Sequence, residues 1–265
     1  MTLKGILQES LRLLYKEPKI FIPRFVTTGL YTVVIIYLAK VSSQITEGLD
    51  YPGHKAASVD PLVLSSIFQN ILPLMLFLAF IALIDFVSYG MYPALVRDYY
   101  EKKPPSLGRS LKEALGAWKV ILMFGAITAF TAALMVLPLN LASGGEIIPY
   151  ALLSVVGFAV AFIVIVLLFF VVPYAVIEKK GVVEAFRRGT RLSFEHRKDV
   201  FSINLVLISL SLVTFALMTL TEMTGQGVIA ATSIILFIII RTVQAVVYTY
   251  ISVVNPYFYM RIKKT

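Results

Sequence analysis

Long apolar runs separated by short polar stretches set the pattern of this chain. Residues 158–172 read FAVAFIVIVLLFFVV, without a single polar side chain. A helix at a water interface needs a polar face, so a run that is apolar all round predicts a helix surrounded by lipid or protein. About 20 such residues carry a helix across the hydrocarbon core. On that measure six spans are expected, at about residues 21–41, 74–96, 120–141, 148–177, 200–220 and 228–257. The second sits inside a longer apolar stretch, residues 61–96, which Pro73 is expected to divide into a short external segment and the span proper. Residues 42–60 are expected to form the one sizeable external loop, and Gly144-Gly145 and Gly225-Gln226-Gly227 to form tight hairpin loops.

The polar stretches carry a second pattern. An amphipathic segment precedes each odd-numbered span: LQESL at 7–11, LGRSL at 107–111 and VVEAF at 182–186. Each even-numbered span ends at a proline, Pro93, Pro173 or Pro256, and these are 80 and 83 residues apart. The expected architecture is an all-α integral membrane protein forming a single transmembrane domain over residues 1–265. It comprises three parallel repeats, approximately 1–97, 98–177 and 178–265, each an amphipathic helix followed by a hairpin of spans. Parallel repeats are related by an axis along the membrane normal, which predicts a pseudo-threefold bundle.

Charge supplies the orientation. Of the 24 Lys and Arg residues, 21 fall before span 1 or at its start, between spans 2 and 3, between spans 4 and 5, or after span 6. All of these positions lie on one side, which the positive-inside rule makes cytoplasmic. The opposite side holds Lys40 and Lys55, and Arg241 lies within a span. Both termini are therefore expected in the cytoplasm of a cell-membrane protein. The first apolar run has no small-x-small cleavage site after it and is expected to be a retained span. Residues 181–198 form the most basic amphipathic segment, with Val182, Val183, Phe186 and Leu192 opposed to Arg187, Arg188, Arg191, Arg197 and Lys198. It is expected to lie flat on the inner leaflet, its cations meeting anionic lipid headgroups.

Composition agrees with this picture. The chain is 58% hydrophobic, against about 45–50% in soluble domains. A net charge of +9 would suggest nucleic acid in a soluble protein. Here the membrane orientation accounts for it, and no nucleic-acid partner is expected. The chain has no cysteine, so disulfides, thiol nucleophiles and thiolate metal sites are excluded.

Three segments, KEPKIFIPRF (16–25), PALVRD (93–98) and PYAVIEKKGVVEAFRRG (173–189), resemble a prokaryotic family of six-span proteins. That family is similar to the membrane domain attached to some glycerophosphoryl diester phosphodiesterases. The resemblance implies a six-span fold and lipid-related biology. In the fused proteins a separate soluble barrel carries catalysis, and this chain contains no counterpart of it, so no functional residue is carried over.

The candidate chemistry is polar groups placed within spans. A charged residue at a helix centre costs about 2.5–3.5 kcal/mol on insertion scales, which makes it a functional candidate by default. Asp85 in span 2 and Arg241 in span 6 are the two expected cases. Arg241, Gln244, Tyr248, Ser252 and Asn255 are spaced 3, 4, 4 and 3, which holds them on one helix face. Asp85, Ser88, Tyr89 and Tyr92 share a face of span 2, and Asn204 and Ser211 share one in span 5. Either these stripes hydrogen-bond to one another, with Asp85 and Arg241 as a buried pair, or they line a cytoplasm-facing cavity or pore. The length of the span-6 stripe favours the cavity, and its fixed cation favours a small anion or a lipid-like amphiphile. A channel or transporter is the expected function. The alternative is a non-transporting membrane scaffold or assembly factor, with homo-oligomerisation open in either case.

No enzymatic role, cofactor or metal is expected. His54 and His196 fall on opposite sides of the membrane, no glycine-rich phosphate loop precedes a helix, and Asp85 has no second carboxylate deep in a span. Tyr31, Tyr37, Tyr150 and Trp118 are expected to anchor or pack the spans.

Overall fold

The computed structural model describes residues 3–49, 61–141, 147–224 and 231–264. His54, Lys55, most of the 42–60 segment and the two glycine-containing hairpin loops lie outside the described residues. Among the described residues every regular element is helical. In chain order they are α1 (Leu3–Lys16), a 3-10 turn (Pro18–Phe21), α2 (Ile22–Leu49), α3 (Pro61–Tyr100), α4 (Leu107–Gly116), α5 (Trp118–Leu141), α6 (Ile147–Leu167), α7 (Val171–Glu178), α8 (Val182–Glu195), α9 (Arg197–Thr224) and α10 (Ala231–Lys264). Five segments are long and apolar enough to cross a membrane, and up to six when α4 and α5, bent by 75° at their junction, are taken together.

The helices pair as hairpins. α2 packs on α3, α5 on α6 and α9 on α10, while α3, α7 and α10 all touch one another. The buried core gathers where those three helices meet, around Tyr92, Leu95, Phe170, Val176, Val254 and Phe258. Pro93, Pro173 and Pro256 lie at this end, as does most of the basic charge. Toward the other end the helices present Met75, Leu76, Phe80, Phe130, Val155 and Phe215 outward. Such a surface is stable against lipid and not against water.

Four features differ from the sequence expectation. First, α3 continues unbroken through Pro73. Its 40 residues are about 60 Å long, roughly twice the hydrocarbon thickness. Second, α2 runs to Leu49, so residues 42–49 are helical and do not belong to a loop.

Third, span 4 is broken at residues 168–170, between α6 and α7. The cause is local. Pro173 has no N–H, so the carbonyl of Phe169 loses its helical donor. The side-chain amide of Asn255 on α10 donates to that carbonyl instead. The N–H of Phe170 finds the hydroxyl of Ser193 on α8, 3.4 Å away. A broken helix persists within a membrane only when its freed backbone groups are satisfied in this way.

Fourth, the amphipathic helices dock on protein. They bury small residues: Ser10 on α1, Ser110 and Ala114 on α4, and Ala185, Gly189 and Ser193 on α8. At Gly189 an added Cβ would sit 2.7 Å from the Cα and 2.9 Å from the N of Val171, so only glycine lets α8 cross the start of α7 so closely. Val182, Phe186 and Leu192, expected to dip into headgroups, pack against the core, and Val183 is left exposed.

Charged side chains fasten the same end. Asp98, almost fully buried, accepts from Arg109 at 2.6 Å and Arg97 at 3.3 Å, and Arg97 also donates to Glu113 at 2.9 Å, tying α4 to α3. Glu178 accepts from the hydroxyl of Tyr259 at 2.8 Å and from Lys263 at 2.7 Å, tying α7 to α10. Asp98 and Glu178 each stand five residues after a span-ending proline.

Candidate functional site

Four helices, α2, α3, α9 and α10, enclose a polar cavity of about 320 Å³. α10 contributes Arg241, Gln244, Tyr248, Ile251 and Ser252. Their successive spacings of 3, 4, 3 and 1 keep them on one face of the helix. Arg241 and Ser252 are eleven residues apart, so the α10 side of the cavity extends about 16 Å along the helix.

The cluster at one level is organised by Arg24 near the start of α2. Its guanidinium donates through Nη1 to the carboxylate of Asp85 on α3. It also reaches the hydroxyl of Ser252 on α10, through Nη2 at 3.3 Å and Nε at 3.4 Å. The Ser252 hydroxyl in turn donates a hydrogen bond to the carbonyl of Tyr248 at 2.8 Å. The Arg24 guanidinium carbon lies 6.0 Å from the ring centre of Tyr89, which stacks in parallel on Phe124 at 5.6 Å. One arginine thus joins three helices. Its side chain is 13% exposed and that of Asp85 27%.

At the other level stands Arg241, itself buried. Its Nη1 donates to Gln244 Oε1 at 2.7 Å, and its guanidinium carbon lies 5.2 Å from the ring centre of Phe237. The partner of Asp85 is Arg24, and not Arg241, as the reading of the stripes as mutually bonded required. Arg24 meets Asp85 and Ser252 at one level, and Arg241 lies eleven residues before Ser252 on α10.

Seven of the eleven stripe residues singled out from sequence line this cavity: Asp85, Tyr89, Ser211, Arg241, Gln244, Tyr248 and Ser252. The other four lie elsewhere. Ser88 and Tyr92 are buried outside the lining. Asn204 turns back on its own helix, donating to the carbonyl of Val200 at 2.8 Å. Asn255, the last member of the α10 stripe, is committed to Phe169 and to the hydroxyl of Tyr89, 3.3 Å away.

Arg24, Thr27, Thr28 and Tyr31 complete the lining and were missed. Their spacing of 3, 1 and 3 is itself a polar face on α2. In the sequence Arg24 reads equally well as a basic residue at the membrane surface, and Tyr31 as an anchoring aromatic. On the surface at the basic end, Arg187, Arg188, Arg191, Arg197 and Lys198 are all exposed. Arg191 pairs with Glu195 at 2.8 Å, and Arg197 covers the ring of Phe194 at 5.0 Å.

Among the described residues that line the cavity, two arginines face one carboxylate, a formal balance of +1. Comparison of the chain with family models, with curated proteins and with solved structures finds no match. Several long apolar helices around a polar interior are compatible with a polytopic membrane protein.

Proposed function

We propose that the protein is a channel or transporter for a small anion or a lipid-like amphiphile, acting through the cavity between α2, α3, α9 and α10. The observation that carries this reading is that Arg24, Asp85 and Arg241 lie among the mostly polar residues that line one cavity. The cavity volume of about 320 Å³ falls at the lower end of small-molecule sites. In this reading the basic end is cytoplasmic and both termini lie inside, as the distribution of Lys and Arg favours.

Kinship with the membrane domain of glycerophosphoryl diester phosphodiesterases belongs to the same proposal. The three segments that carry the resemblance form the turn into α2, the end of α3 and the α7–α8 junction, all of which build the basic end of the bundle.

Flux measurements on the purified protein in sealed liposomes test the reading. Wild-type protein is expected to release trapped anion or move a labelled anionic amphiphile between leaflets, and Arg241→Gln to slow this by at least about tenfold. A folded wild-type protein that moves no anion and no amphiphile would overturn it. A scaffold role is favoured instead by the exposed cations of α8. It predicts a co-purifying partner that is lost when Arg187, Arg188 and Arg191 are reversed to Glu.

A further inference from the structure

Three junctions between an amphipathic helix and the span that follows it share one chemistry. The apolar segments that follow α1, α4 and α8 open at Pro18, at Trp118 beyond the α4–α5 bend, and at Arg197. An aromatic side chain faces outward at each junction: Tyr15 is 90% exposed, Trp118 50% and Phe194 59%. Exposed cations stand beside these rings, Lys16, Lys119 and Arg197 respectively. Lys119 Nζ lies 5.7 Å from the ring centre of Trp118, and the Arg197 guanidinium carbon lies 5.0 Å from that of Phe194. Cations outnumber carboxylates around every junction, three to one over residues 12–19, three to one over 109–119 and five to two over 187–199. α1, α4 and α8 dock on the bundle through their other faces, at Ser10, Ser110 and Gly189. The outward rings and cations are therefore turned toward what surrounds the bundle.

We propose that the three junctions form a docking surface for anionic phospholipid, the rings resting at the glycerol level and the neighbouring cations on headgroup phosphates. The proposal is independent of what the polar cavity does. Aromatic side chains favour the depth at which a helix passes from headgroups to hydrocarbon, where one edge of the ring is dry and the other wet. Lys and Arg at that depth lay their stems along apolar surface and keep their charge in the headgroup layer. The excess of cations selects a net-negative headgroup over a zwitterionic one, by about fivefold for each cation near the surface. An acidic protein would meet the same cations, but it gives no reason for a ring at the start of each of these spans.

Trp118 is the one tryptophan of the chain, so its fluorescence reports one junction without any substitution. The full chain is reconstituted in bilayers of phosphatidylcholine and phosphatidylglycerol, with one lipid at a time brominated near the glycerol end of its chains. Brominated phosphatidylglycerol is expected to quench Trp118 with an apparent affinity about fivefold above that of brominated phosphatidylcholine. Lys112→Gln combined with Lys119→Gln, both at exposed positions, is expected to bring that ratio close to one. Molar salt, which screens exposed charge, is expected to do the same in the unaltered chain. Tyr15→Trp and Phe194→Trp, each in a Trp118→Phe background, read the other two junctions and are expected to show the same preference. Equal quenching by the two lipids overturns the proposal. So does a preference that survives both charge removal and salt. Quenching of Trp118 by neither lipid means that the ring meets water or protein, which overturns the lipid assignment and favours a protein partner. A preference at Trp118 that is missing at the other two junctions overturns the threefold surface.

Discussion

Asn255 on α10 donates its side-chain amide to the carbonyl of Phe169, the one carbonyl that Pro173 deprives of a helical donor. The bond crosses 86 residues of sequence. It turns a local defect in one span into an attachment between two. If this is its role, Asn255→Ala should destabilise the protein by about 1–3 kcal/mol, the cost of leaving a buried carbonyl unpaired. Pro173→Ala restores an N–H within α7 and should shrink the loss caused by Asn255→Ala. Thermal unfolding of the four variants of this cycle in detergent is the measurement. Equal losses in both backgrounds would sink the explanation.

The Arg24–Asp85 contact makes a different prediction. Both side chains are largely removed from solvent, so a lone survivor is costly. Arg24→Gln and Asp85→Asn should each lower the unfolding midpoint more than the double variant does. If the losses simply add, the two residues do not act as a pair.

Packing at Gly189 is tested by adding one carbon. Gly189→Ala meets the backbone of Val171, which cannot retreat as a flexible side chain would. A cost of about 1–3 kcal/mol is expected. Gly29→Ala in α2, where an added Cβ meets nothing within 4 Å, should be neutral or stabilise by up to about 1 kcal/mol. Circular-dichroism melts of both variants give the comparison.

Asp98 and Arg109 should differ sharply although they touch. Asp98 is 1% exposed and Arg109 45% exposed in their side chains. Asp98→Ala removes a buried carboxylate that holds both Arg109 and Arg97, leaving Arg97 to Glu113 alone, and should cost about 2–3 kcal/mol. Arg109→Ala removes a partly solvated partner and should cost at most about 1 kcal/mol. Denaturant titration in mild detergent separates the two.

The absence of cysteine makes accessibility direct to measure. Single cysteines at Gln244 and Tyr248 should react with a membrane-impermeant thiol reagent, while one at Leu76, on the apolar exterior, should not. A cysteine at Ser106, before α4, should react only from the cytoplasmic face. Reaction of Ser106→Cys only from outside would reverse the proposed orientation. Inert cysteines at 244 and 248 would mean the cavity is closed to water.

Much of the candidate site could be read from spacing alone. The run Arg241, Gln244, Tyr248, Ser252 declares one helix face, and the cavity uses that face. Asn255 continues the same run, yet it serves the backbone of another span. Periodicity tells which way a side chain points around its own axis and says nothing about what it meets there. Arg24 was overlooked for a related reason. A basic residue at the mouth of a span counts equally as a surface anchor until the neighbouring helix places a carboxylate beside it. The break at residues 168–170 was hidden because Leu168, Phe169 and Phe170 are as apolar as the helix around them.

The helical character of the segments, the charge asymmetry and the polar faces were decided locally, since residue counts and the 3.6-residue period are properties of one segment at a time. Partner choice was decided by the assembled bundle. Which arginine meets Asp85, which carbonyl receives Asn255 and which helix crosses at Gly189 depend on the relative depth and rotation of different helices. Interhelical contacts act only over a few ångströms, so no single segment encodes them, and they exist only once the helices have packed.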